Sequence, residues 1–365
     1  MKRTGDIRNF LEAVEASARM GSQYIWKVSI ELPDREGEGY VMGGKLIYLK
    51  IGDLKGNEAL KALRKYDRFA YSIEIFNGYV PEIHDIDILE LYHEELSPMF
   101  SRLPITTVKG NFVDILMELE ERGFNGIISF SDREGRGYIG TVCGGRLCGI
   151  RYLGVLGSTS TILQNIRELS TDFYLLEFKY LDKISGFIYG LKDIVDSPAG
   201  QWNAQKLKRI NGTVEVTRGT NRILVISDGS NVITIFGLSI PPSFGEDIIP
   251  LIFQRGNLIN TYPATEPKPI FEYTFKEART ITNIFSSLVS ESRKIVGEIV
   301  FKRAADKVLN YYLPPKPYPD DIVNTLKSIF SIYEKEISAF TGKKWKEKKA
   351  SILSEYPERL VKLFG

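Results

Sequence analysis

The sequence predicts a mixed α+β chain. Two to three tandem helix–three-strand–helix–strand repeats precede an all-helical C-terminal module. Three observations predict it. The phrase Asp-Arg-Glu-Gly-x-Gly-Tyr occurs twice, at Asp34–Tyr40 and Asp132–Tyr138. Each copy leads into Gly-Gly, a basic residue and Leu, at Gly43–Leu46 and Gly144–Leu147. After Pro263 the strand-and-turn pattern gives way to long helical periodicity. These features divide the chain into repeat one (1–100), repeat two (101–192), a degenerate and mostly β third repeat (193–265) and the helical module (270–365).

Repeat one opens with Ile7, Phe10, Leu11, Val14 and Ala18 at helical spacing over Asp6–Met20, and Gly21 ends that helix. Tyr24–Leu32 reads as a strand and Pro33–Gly39 as a turn. Tyr40–Met42 and Leu46–Ile51 read as strands joined by Gly43-Gly44, because primed hairpin turns need positive φ. Asn57–Lys65 is a second helix and Phe69–Phe76 a closing strand. Repeat two follows the same order. Val113, Ile115, Leu116 and Leu119 mark a helix that Gly123 ends. Strands are expected at Ile127–Ser131, Tyr138–Cys143 and Leu147–Tyr152, then a helix from Ser158 to Leu169 with Ser158 or Thr159 as N-cap, then a strand at Phe173–Tyr180. The stretch from Tyr to Gly-Gly is longer here than in repeat one, which implies a longer or bulged hairpin. In the third copy Gln205–Ile210 ends a helix, and Asn211–Val216, Ile223–Ile226 and Val232–Phe236 supply strands. Beyond the Pro263, Pro267 and Pro269 linker, Glu277–Tyr312 reads as helix. Asp320 or Asp321 then caps a helix to about Phe340, and a last helical stretch runs to Leu363.

Composition excludes several classes. Basic and acidic residues number 48 and 46, so a net charge of +2 gives no global attraction to nucleic acid or anionic membrane. Two cysteines exclude a disulfide scaffold and fit a reducing compartment. No stretch approaches the roughly 18 apolar residues of a membrane helix, and no apolar run follows Lys2, Arg3 and Asp6. The expectation is a cytoplasmic protein without membrane contact. Abundant Lys, Glu, Ile and Tyr lean toward a thermophile.

The repeats resemble the PATAN-type domain, named for the N-terminal part of a cyanobacterial response regulator. The matching stretches are Gly39-Tyr40, Gly43–Tyr48, Gly52, Gly56–Leu60 and Phe69–Phe76, then Gly137-Tyr138, Gly144–Leu147 and Phe173–Phe178. Repeat two lacks the Glu-Ala-Leu element of Glu58–Leu60. The chain is also similar in general type to archaeal multi-domain proteins. The resemblance covers the first half to two-thirds and rests on turn and packing residues. It implies a non-enzymatic interaction module of prokaryotic signalling, with no catalytic residues and no cofactor.

The residues themselves offer five candidate chemistries. Gly135–Val142 fits G-x-G-x-x-G-x-V, yet no His-Arg-Asp or Asp-Phe-Gly accompanies it, and a strand follows where a dinucleotide fold needs a helix. Hairpin geometry explains these glycines better. Cys143 and Cys148 flank Gly144-Gly145 and can form a disulfide or half a metal site. Their counterparts Met42 and Ile47 favour two small buried hydrophobes instead. The two histidines, His84 and His93, lie near the linker between repeats and read as structural. The duplicated charged turn presents Arg35, Glu36, Arg133 and Glu134 as candidate partner-binding residues, against the plainer reading of a solvated surface turn. The most basic run offers Lys343, Lys344, Trp345, Lys346, Lys348 and Lys349 as candidate nucleic-acid contacts, against a solvated helix face with one buried Trp.

The leading expectation is a non-catalytic scaffold or adaptor that binds other proteins, with self-association as one form of it. The apolar stripes of the C-terminal helices suit such contacts. The alternatives are a nucleic-acid-associated protein using the basic C-terminal segment and an enzyme with a site between repeats. The last needs a convergent set of titratable groups that spacing alone does not reveal.

Overall fold

Among the described residues, fifteen strands form three separate antiparallel sheets, each built from one stretch of the chain. The computed structural model describes residues 2–84, 86, 103–154, 157–192, 204–244, 248–252 and 257–364. It divides into two compact units, Met1–Ser97 and Pro98–Gly365.

In the first unit β1 (Lys2–Gly5) precedes α1 (Ile7–Gly21). Then follow β2 (Ile25–Glu31), β3 (Glu36–Met42), β4 (Lys45–Ile51), β5 (Leu54–Lys55), α2 (Gly56–Leu63) and β6 (Phe69–Phe76). The sheet order is β1-β6-β2-β3-β4-β5. Both helices pack on one face through Phe10, Leu11, Val14, Ala59, Leu60 and Leu63, against Val28, Ile30, Leu49 and Phe69. Gly43 and Gly44 take φ of 58° and 76°, the primed turn that the Gly-Gly pair predicts.

Repeat two comprises β7 (Ile105–Asn111), α3 (Phe112–Glu121), β8 (Gly126–Ser131), β9 (Gly137–Cys143), β10 (Arg146–Tyr152), α4 (Thr159–Ile166) and β11 (Ser170–Glu177). Its sheet order, β7-β11-β8-β9-β10, repeats that of unit one. Asn111 caps α3 by accepting from Val113 N, and Ser158 caps α4 by accepting from Thr161 N. A further helix, α5 (Leu181–Tyr189), leaves the repeat. The third sheet follows α6 (Ala204–Arg209) and contains β12 (Asn211–Arg218), β13 (Asn221–Asp228), β14 (Val232–Gly237) and, after α7 (Ile249–Ile252), β15 (Leu258–Pro263). Its order β15-β12-β13-β14 places the closing strand beside the first strand, as in the other two sheets.

Strand alternation lets one sheet bury two faces. Ile128, Phe130, Tyr138 and Val142 face α3 and α4. Ile127, Ile139 and Leu176 face the other way and meet Leu181, Ile184, Phe187 and Ile188 of α5. Beyond α5 lie Leu224, Ile226, Phe236 and Tyr262 of the third sheet. Repeats two and three therefore sandwich α5 and share one core.

The helical module consists of α8 (Phe275–Asp306), α9 (Pro319–Leu353) and α10 (Glu358–Val361). Its base is fastened to repeat two. Glu120 accepts from Phe275 N and Lys276 N, both at 2.8 Å, which satisfies two orphan amides at the start of α8. Tyr318 Oη donates to Leu163 O at 2.8 Å, and Ile270 N donates to Leu147 O at 2.9 Å.

Neither long helix is straight. Gly297 (φ 76°, ψ 170°) and Gly342 (φ 56°, ψ −141°) interrupt them. Lys349 Nζ reaches Glu334 Oε1 at 2.6 Å. A straight helix would separate these residues by about 22 Å, at 1.5 Å per residue. The segment after Gly342 therefore folds back along the segment before it. The expected helix over Glu277–Tyr312 is corrected accordingly: it breaks at Gly297 and ends at Asp306.

Candidate functional site

The duplicated phrase does not occupy equivalent places. In unit one the turn is short: Leu32 N donates to Arg35 O, and Glu36 already pairs with Glu31. In repeat two the turn spans Asp132 to Arg136, and the first strand pair is Ser131 with Gly137. Measured from the Gly-Gly hairpins, Tyr138 stands where Gly37 stands, since Phe130 pairs with Tyr138 and Ile30 with Gly37. An odd slip of register reverses the facing of every side chain. Tyr138 is accordingly in the helix-facing core of its sheet. Tyr40 lies on the opposite face, with ring contacts to Tyr48 and Phe76.

The charged tips differ as well. Arg35 is held by Asp34 at 2.5 Å, and Asp34 also accepts from Tyr66 Oη at 2.5 Å. Those bonds, Arg35 first, lower the Asp34 pKa. Glu36 is an exposed strand residue. In the second tip Asp132 accepts from Glu134 N, Arg136 N, Arg136 Nε and Tyr138 Oη. Burial raises its pKa, and the Arg136 bonds outweigh that and hold it below the usual carboxylate range. Glu134 pairs with Arg136 at 3.1 Å, and Arg133 is exposed. One shared recognition geometry is therefore not presented twice. Asp132→Ala should cost about 1–3 kcal/mol by orphaning these donors, whereas Arg133→Ala should stay within about 0.5 kcal/mol. Thermal unfolding of the two variants checks this.

The basic run meets a similar correction. Trp345 is 2% exposed, and its Nε1 donates to Glu334. It offers no ring for base stacking. Lys343, Lys348 and Lys349 pair with Glu347, Glu291 and Glu334. Only Lys344 and Lys346 of the six candidates are exposed without an ion pair among the described residues.

Cys143 and Cys148 are free thiols; Cys143 packs against the α5-facing core, and Cys148 is buried at a β-bulge. Burial pushes the Cys148 thiol up to about 12, the behaviour of a small buried hydrophobe. Among the described residues no three His, Cys, Asp or Glu side chains gather as a metal site requires. His84 stacks on Tyr48 and reaches Glu82 at 3.2 Å; His93 lies outside the described residues. The glycines of Gly135–Gly140 serve the hairpin: a Cβ on Gly140 would lie 2.7 Å from Gly149 O.

A cleft of about 920 Å3 that the sequence does not announce lies between repeats two and three. Its walls are the Arg122–Asn125 loop, the end of β11 at Glu177–Tyr180, and the β13–β14 turn with the start of β14. Asn125 sets the first wall, because its Oδ1 accepts from Gly144 N at 2.7 Å and its carbonyl from Phe178 N at 3.2 Å. Asp228 sets the turn by accepting from Ser230 N and Asn231 N. Asn231 N first, then Ser230 N, lower its pKa. Phe124 and Phe178 give an apolar floor, and Tyr180 stands 47% exposed beside Phe178. Thr234 lines the cleft with a buried hydroxyl that has no hydrogen-bond partner among the described residues. Among the described residues β14 pairs with β13 alone, apart from a bridge at Gly237, so its start leaves one strand edge beside the cleft. The volume fits the range of about 300–1,000 Å3 for ligand sites. Of its four charged lining residues, Arg122 pairs with Glu118 and Asp228 holds its own turn, while Glu177 and Lys179 are exposed at the rim.

No protein-family model and no curated protein matches this sequence. No described helix is long and apolar enough to cross a membrane.

Proposed function

We propose that this chain is a non-catalytic cytoplasmic adaptor that binds other proteins, and that the cleft between repeats two and three receives an extended peptide. The observation that carries the reading is the start of β14, whose strand edge borders an apolar cleft. A peptide laid along such an edge gains main-chain hydrogen bonds, while the floor at Phe124 and Phe178 selects an apolar side chain. The PATAN-type resemblance and the two free thiols agree with an interaction module in a reducing compartment.

Selection of a random peptide library on the purified chain tests this. Enriched peptides should carry one large apolar residue, and Tyr180→Ala should weaken them about tenfold by titration calorimetry. Failure to enrich any sequence, or affinity untouched by Tyr180→Ala, would remove the reading.

A further inference from the structure

The two glycine corners of the helical module lie at one end of it. Ser292 and Tyr333 share a hydrogen bond at 2.6 Å, which sets α8 and α9 level there. Gly297 follows Ser292 by five residues and Gly342 follows Tyr333 by nine, so both corners lie beyond that level, about 6 Å apart in height. Beside these corners two large apolar side chains stand in solvent: Ile299 is 86% exposed and Phe340 57%. Lys302 follows Ile299 by three residues, and Lys344 and Lys346 follow Phe340 by four and six; all three are exposed and without an ion pair among the described residues. The acidic side chains of the same end are already neutralised. Glu298 pairs with Arg293, Glu336 with Arg303 and Glu347 with Lys343.

We infer that this end of the bundle is a docking surface for an acidic amphipathic helix of a partner protein. The inference rests on the adaptor reading but uses a surface separate from the cleft. Apolar anchors ringed by uncompensated cations match a helix with an apolar stripe and carboxylates beside it. A phosphate backbone or an anionic bilayer is the poorer match, because a phosphate backbone offers no apolar stripe for Ile299 and Phe340, the one tryptophan of the basic run is buried, and a net charge of +2 gives no global pull toward either polyanion. The surplus lysines steer the partner, and Phe340 anchors it.

The test uses the full chain and a fluorescent synthetic helix of about 18 residues, with leucine on one face and glutamate on the other. Binding should weaken about tenfold in Phe340→Ala. In Lys344→Gln/Lys346→Gln it should weaken about fivefold and lose most of its salt dependence. All three positions are exposed, and circular dichroism confirms that the variants remain folded. Three results overturn the inference: no binding of the glutamate helix, equal binding of a version with lysine in place of glutamate, or preferential binding of single-stranded DNA or phosphatidylserine vesicles at the same lysines. Tyr180→Ala should leave this binding unchanged, so a failure here is distinct from a failure of peptide binding in the cleft.

Discussion

Glu215→Ala is expected to destabilise the unit spanning Pro98–Gly365 by about 3–5 kcal/mol. Glu215 on β12 is 3% exposed and receives three strong hydrogen bonds. They come from Arg222 Nε at 2.8 Å, Arg222 Nη2 at 2.5 Å and Tyr262 Oη at 2.6 Å. Arg222 also donates to Leu153 O of repeat two. Arg151 of β10 lies 4.2 Å from the Phe187 ring centroid and 5.5 Å from that of Tyr262. The carboxylate thus compensates cations at the seam of two repeats. Its removal leaves the Tyr262 hydroxyl buried and unpaired. The Arg222 side chain, 22% exposed, is partly rehydrated, which favours the lower end of the range. Burial raises the Glu215 pKa, but the bonds from Tyr262 and Arg222 outweigh it and hold the group below the usual value. Its contribution is therefore complete above an unfolded pKa of about 4.3 and is lost as pH falls through the folded value. Glu215→Gln should be the milder change and should flatten the acid limb of the stability curve. Urea midpoints and hydrogen exchange of the β12 and β13 amides measure both effects. An unchanged midpoint for Glu215→Ala would mean that the network is not what joins the repeats.

Much of this architecture is legible because turn chemistry is local. The Gly-Gly hairpins and the cap at Ser158 follow from conformational demands that single residues meet. The helix expected to stop near Phe340 instead turns at Gly342 and runs to Leu353, and its N-cap is Tyr318, with Asp321 in the third helical position rather than Asp320 or Asp321 as the cap. The edge strands β1 and β7 are not legible. Lys2–Gly5 and Ile105–Asn111 are largely polar because an edge needs little apolar surface. Helix α5 escapes for a different reason. It is nine residues long and carries Ser185-Gly186 in its interior, so neither its length nor its helix propensity marks it. The repeated phrase misleads in a third way. Its identical letters suggest identical placement, but the longer turn at Asp132 shifts it by an odd number of positions and turns Tyr138 inward. The cleft is invisible in sequence because its walls come from segments far apart in the chain, Arg122–Asn125 and Asp228–Thr234, brought together only when both repeats pack on α5.

Gly342→Ala should leave the α9 fold-back in place while destabilising it by about 1–3 kcal/mol, and adding Trp345→Ala should open it. At φ 56° and ψ −141° a Cβ meets nothing within 4 Å, so the cost lies in the backbone alone. Straightening α9 would relieve that cost and produce a helix about 52 Å long from its 35 residues. It would also expose Trp345, break the Lys349–Glu334 ion pair and remove Lys349 from the face of Phe330. Removing a buried Trp side chain costs about 3–5 kcal/mol, more than the strain that alanine introduces. Burial wins in the single variant. Without the indole the balance approaches zero, and the intrinsic preference of alanine over glycine for helix, about 1 kcal/mol, then favours the straight form. Spin labels at the exposed positions Lys335 and Ala350 report the difference, since a straight helix separates them by about 22 Å. The short distance should persist in Gly342→Ala and lengthen in Gly342→Ala/Trp345→Ala. A long distance in the single variant would show that the glycine conformation, and not the tryptophan, holds the corner on which Phe340 is displayed.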